Sequence, residues 1–178
     1  AEEACAIISR ICQRADARLV VKGKSMVSEE IGLNEVLEKN GIQVAETDLG
    51  EYIIQLAGET PSHIIAPAIH KTRDQITELF YQHHRELGYG ERVTRRDAIV
   101  DEARSVLRSV FSRADVGITG ANFLVAETGA NVIVTNEGNG DLTSCLPRVQ
   151  IITAGIEKVI PSLDDLSVLL RVLGRSAT

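Results

Sequence analysis

The residues with the greatest chemical potential share one loop, Asn136-Glu137-Gly138-Asn139-Gly140, at the end of the stretch Val125 to Gly140. Two glycines and two asparagines in five residues tolerate positive φ. Such a run can turn successive backbone N–H groups inward as an anion-binding nest. Asn136, Gly138 and Asn139 are therefore candidate ligand contacts, and Glu137 is a candidate nucleophile, base or hydroxyl acceptor. A plain solvated connection has the same composition and stays open beside that reading.

A second constellation is Lys22-Gly23-Lys24-Ser25, between an apolar run and a helical pattern. Lys24 and Ser25 are candidates to meet an anion near the helix start. The pattern of a nucleotide P-loop is incomplete, because its first glycine would fall at Arg18, and this disfavours one. His70, between Ala66-Pro67 and a capped helix, is a candidate proton donor; His83 and His84 suit a helix C-terminus and read as structural. Gly138-x-Gly140 is no dinucleotide fingerprint, since Thr143 takes its last glycine position. No G-x-S-x-G, H-E-x-x-H or C-x-x-C occurs. Cys5 and Cys12 lie about 10 Å apart along a helix, too far for a disulfide, and Cys145 stands alone. No metal site is expected.

Elements must position these groups, and their pattern is helix–strand alternation. One helical face carries Ala4, Ile7, Ile8, Ile11, Cys12 and Ala15; Leu19–Val21 reads as a strand. Ser28 is expected to cap a helix reaching Asn40, with strands at Ile42–Ala45 and His63–Ala66. Thr72/Gln75, Thr94/Asp97 and Ser162/Asp165 read as capping boxes ahead of apolar stripes, the last ending at Gly174. Residues 84–93 form a candidate linker within a single domain spanning 1–178. After Asp115 the texture becomes short β-like runs, at Val132–Thr135, Val149–Thr153 and Lys158–Ile160, with a turn at Gly129. The expected class is α/β, a mostly parallel sheet flanked by helices with a hairpin-rich C-terminal half.

Composition narrows the function classes. The net charge is −6, and acids interleave the arginines between Arg92 and Arg113, which disfavours nucleic acid. No apolar run approaches the ~20 residues of a transmembrane helix, and no signal-peptide pattern is present, so a cytoplasmic protein is expected.

Seven motifs then run in order along the chain: KGKSMVSEEIGLN at Lys22–Asn34, ETDLGEYIIQL at Glu46–Leu56, PAIHK at Pro67–Lys71, GITGANFLVAETG at Gly117–Gly129, TNEGNG at Thr135–Gly140, GIEK at Gly155–Lys158 and RSAT at Arg175–Thr178. With these the sequence resembles the LUD domain of the lactate utilization protein B family, iron–sulfur subunits of bacterial lactate oxidation. The resemblance implies a fold similar to the CoA-transferase and ribose-phosphate isomerase group. It further implies a cysteine-rich region beyond Thr178 carrying [4Fe–4S] clusters, and other lactate-utilization subunits as partners. One departure is Gln150, where many members carry His.

Motif match and loop chemistry together assign candidate catalytic roles to Glu137, Glu127 and His70. They assign ligand binding to Lys24, Ser25, Glu30, Glu51, Thr128, Asn136, Gly138 and Asn139. The implied function is a domain that holds a small anionic ligand or a partner in oxidation of L-lactate to pyruvate. Two alternatives stay open: an autonomous transferase- or isomerase-like enzyme using Glu137, and a pure assembly module.

Overall fold

Leu19, Val20 and Val21 are buried on both faces of their strand, as an interior parallel strand requires. The computed structural model describes residues 1–23, 25–63 and 66–177. Its main sheet contains β1 (Leu19–Gly23), β2 (Gln43–Glu46), β3 (Val116–Thr119) and β6 (Val149–Ile152), in the order β2-β1-β3-β6 with every pairing parallel. From β1 the chain moves outward to β2 and later returns to β3 on the other side of β1. The direction of winding therefore reverses between β1 and β3, and the crevice at the carboxyl ends there is where open α/β sheets take ligands.

Helices cover both faces. On one, α1 (Glu2–Arg14) and α3 (Leu33–Lys39) press Ile8, Cys12, Leu33 and Leu37 against Val20, Val44, Val116 and Ile118. On the other, α4 (Leu49–Ala57), α5 (Arg73–His84) and α6 (Arg96–Arg113) press Tyr52, Phe80, Ala103, Leu107 and Phe111 against Leu19, Val21 and Ala45. A buried polar chain ties these three helices together: His84 Nε2 lies 2.8 Å from the Tyr52 hydroxyl, and its Nδ1 lies 2.8 Å from Glu102 Oε1. α7 (Asn139–Cys145) packs on the same side as Val21, where Gly117 leaves room for the main chain of Thr143.

A smaller sheet joins β4 (Phe123–Val125) and β5 (Ala130–Val132) as an antiparallel hairpin, with β7 (Val159–Ile160) parallel to β4. α8 (Leu163–Ser176) follows. The structure is thus α/β, with a mostly parallel sheet flanked by helices and one hairpin in the C-terminal half. No helix among the described residues is long and apolar enough to cross a membrane.

Several local expectations change. The helix expected from Ser28 to Asn40 is two helices: Ser25, not Ser28, caps α2 (Met26–Glu30), and Gly32 at φ 65° separates it from α3. The boxes at Thr72/Gln75 and Ser162/Asp165 form, whereas α6 starts one residue later than Thr94/Asp97 requires, behind Arg95 and without a side-chain cap. The strand expected at Val132–Thr135 ends at Val132, so the glycine-rich loop does not follow a strand directly. A seven-residue helix fits between Gly138 and Pro147, and α8 continues through Gly174 to Ser176. The expected linker, 84–93, holds the last residue of α5 and a 3₁₀ turn at Arg85–Leu87. The strand expected at His63–Ala66 falls partly on residues 64 and 65, outside the described residues.

Candidate functional site

The carboxyl ends of β1 and β2 place charges side by side. Lys22 and Glu46 are register partners, and Lys22 Nζ lies 2.8 Å from Glu46 Oε1 with both side chains buried. Asn34 Nδ2 donates to the same oxygen at 2.7 Å. An ion pair this enclosed depends on such added donors, because desolvation costs each charge several kcal/mol. One residue further on, the Thr47 hydroxyl donates to the Lys22 carbonyl at 3.0 Å, and Asp48 Oδ1 accepts from Asn139 Nδ2 at 2.9 Å. Asp48 thereby fastens the start of α4 to the start of α7.

A cleft of about 380 Å³ opens above this edge, lined by Ser25, Met26, Glu29, Asp48, Leu49, Gly50, Glu51, the segment 66–69 and Glu137. Four of the seven sequence motifs converge there: KGKSMVSEE, TDLGE, PAIHK and TNEGNG each supply lining residues. The close approach of Gly50 to Pro67 forms one wall, since a Cβ at residue 50 would meet the proline ring at 2.8 Å. At the Ser25 side, three hydroxyls form a closed triangle: Ser25–Ser28 at 2.7 Å, Ser25–Thr153 at 2.6 Å and Ser28–Thr153 at 2.8 Å.

The cleft is acidic, and its acids are shifted. Glu51 is pushed up to about 7, first by burial of its carboxyl and then by the like charges of Asp48, Glu29 and Glu46. Glu29 is also raised, by partial enclosure first, with Lys22 opposing and Glu46 and Asp48 adding. At neutral pH Glu51 therefore exchanges a proton readily, which is the property a general acid or base needs.

Of the residues singled out from sequence, Ser25, Glu51 and Glu137 come together in this cleft. Asn139 sits at its back, holding Asp48, and Gly138 caps α7 at φ 78°. Lys24 lies outside the described residues. Glu30 and Asn136 are exposed and line neither this cleft nor its neighbour. His70 is bonded to Glu59 at 2.8 Å and Ser62 at 2.7 Å on the outer side of the PAIHK turn. Glu127 and Thr128 belong to the hairpin: Glu127 Oε2 accepts from the Leu163 N–H at the start of α8, and the Thr128 hydroxyl accepts from Ala130 N–H. Gln150 Nε2 approaches the Thr119 hydroxyl at 3.4 Å. Sequence reasoning missed Lys22, Glu29, Glu46 and Asp48. One signal existed: apolar runs LVV and VA each end in a charge, of opposite sign, which is what adjacent strands with a paired buried end look like.

The LUD domain matches across residues 1–178. The chain belongs to the LUD-domain family. This LUD domain is 49% identical over 178 residues to lactate utilization protein B of Bacillus subtilis (strain 168), covering 99% of the chain and 36% of that protein. It is 48% identical over 177 residues to the protein of the same name from Oceanobacillus iheyensis, and 48% identical over 178 residues to that of Geobacillus thermodenitrificans. It spans a little over a third of the length of these curated relatives. No solved structure matches it.

Iron–sulfur clusters do not fit this LUD domain. Cys5 and Cys12 are buried in α1, with the Cys5 thiol donating to the Ile31 carbonyl, and Cys145 is exposed on α7. Among the described residues no group of three or more His, Cys, Asp or Glu side chains is placed to hold a metal.

Proposed function

We propose that this LUD domain binds a 2-hydroxy acid or 2-oxo acid, L-lactate or pyruvate, as the ligand-handling part of a cytoplasmic lactate-utilization protein. In this reading the electron-transfer clusters and the contacts to other subunits belong to sequence outside the chain. The observation that carries the proposal is Glu51, poised near neutrality in a cleft at the reversal point of the main sheet. The names of the relatives supply the substrate class. Protonated Glu51 would donate a hydrogen bond to the bound acid, and this chain is assigned no part in the oxidation itself. Lys24, by its place in the sequence motif, and Ser25, which lines the cleft, are proposed contacts for the ligand carboxylate.

Charge fixes the expected pH dependence. A carboxylate ligand enters a cleft lined by Glu29, Asp48, Glu51 and Glu137, so protonating Glu51 removes one repulsion. If the protonated form binds, affinity is full below pH 7 and falls as pH rises through Glu51's value, by about tenfold between pH 6 and pH 8. Titration calorimetry with L-lactate and pyruvate tests this. Glu51→Gln should keep the low-pH affinity and flatten the profile. Binding of neither acid, or an unchanged profile in the variant, overturns the reading.

A further inference from the structure

A second cleft, of about 470 Å³, lies between α6 and α7 and shares Leu49 and Glu137 with the first. That volume lies within the roughly 300–1,000 Å³ of small-molecule sites. On α6 the residues facing it fall at 100, 103, 104, 107, 108 and 111, one continuous helical stripe. Ala103, Leu107 and Phe111 make an apolar floor that Leu142 of α7 closes from the opposite side. Arginines occupy two positions of the stripe, Arg104 and Arg108, one turn apart.

Neither arginine is committed elsewhere. Arg104 meets only Asp101 at 3.2 Å, a solvent-exposed pair worth at most about 1 kcal/mol. The Arg108 guanidinium makes no hydrogen bond or ion pair among the described residues. Asn139, which also lines the cleft, is more than nine-tenths buried, and its Oδ1 has no hydrogen-bond partner among the described residues. Glu137 also lines the cleft, and the α6 side carries the two arginines.

We infer that this cleft binds an amphipathic anion: an apolar body larger than lactate, with one carboxylate, sulfonate or phosphate head. The head pairs with Arg104 and Arg108, whose forked N–H donors match such oxygens. The body lies on the Leu107, Phe111 and Leu142 surface. The inference stands on α6 and does not require lactate to bind the first cleft.

The test uses two fluorescent probes of nearly the same aromatic body, 1-anilinonaphthalene-8-sulfonate and the uncharged N-phenyl-1-naphthylamine. The sulfonate probe should bind once per chain and weaken with added salt. Arg104→Gln/Arg108→Gln should lower its affinity at least tenfold and leave the neutral probe within twofold. Leu142→Trp, which fills the cleft, should remove both, with thermal melting checking that each variant folds. Unchanged sulfonate affinity in the arginine variant, equal loss of both probes there, or both probes surviving Leu142→Trp overturns the site.

Discussion

Lys22 shows how one buried charge organises the site. It is 1% exposed at the end of a strand whose other residues are apolar or glycine, and Glu46 with Asn34 balances it. Removing only the cation leaves Glu46 buried with Asn34 as its remaining side-chain donor among the described residues. Lys22→Met should therefore cost about 3–5 kcal/mol, whereas replacing both charges, Lys22→Met with Glu46→Leu, should recover most of that loss. Urea unfolding of the two single variants and the double variant measures the coupling. A double variant as unstable as Lys22→Met would show that packing, not pairing, sets the cost. The same residues mark the limit of reading a site from sequence. Ser25, Glu51 and Glu137 were legible because loop composition and motif order pointed at them. Glu29 and Asp48 were not, because their proximity is created by the β1–β2 register and by α7, neither of which a local pattern encodes.

At the scale of elements, α7 forms one wall of the second cleft, through Asn139 and Leu142. It is anchored by close approach to β3: a Cβ on Gly117 would sit 1.9 Å from the Thr143 carbonyl oxygen, and a backbone atom cannot rotate away. Its start depends on a different property of glycine, the positive φ at Gly138, where a Cβ would meet no atom within 4 Å. The two substitutions should therefore differ in kind. Gly117→Ala should lift α7 off the sheet, cost about 3 kcal/mol or more, and expose Asn139 and Asp48. Gly138→Asn should cost under about 1 kcal/mol, because Asn tolerates the left-handed region. Thermal melting with amide chemical shifts across α7 distinguishes them; equal effects would assign both positions to conformation alone. The alternation of helices and strands was readable from periodicity, and two of three capping boxes formed as spaced. The α2–α3 break and the start of α7 were not, since the positive φ of Gly32 and of Gly138 is backbone geometry that apolar spacing does not register, and nothing in the structure explains the late, uncapped start of α6.

Across the whole molecule, burial is unevenly distributed, and stability should follow it. The main sheet is enclosed by α1 and α3 on one side and α4 to α6 on the other, with Val20, Val21, Val116 and Ile118 wholly buried. The smaller sheet buries Val125 and Ile160, and α8 buries none of its residues while Leu163, Val168, Leu170 and Val172 remain exposed. Elements with few buried apolar contacts open at lower free energy than the core they attach to. Backbone amides of β7 and α8 should therefore exchange with solvent hydrogen at least about a hundredfold faster than hydrogen-bonded amides of β1 and β3. Val125→Ala should speed exchange in β4, β7 and α8 while leaving β1 and β3 nearly unchanged, because Val125 lies outside both main-sheet cores. Hydrogen exchange read by mass spectrometry of peptides from each element measures this. If Val125→Ala instead accelerates all elements equally, the two sheets open as one cooperative unit, and the clefts share the fate of the hairpin rather than being insulated from it.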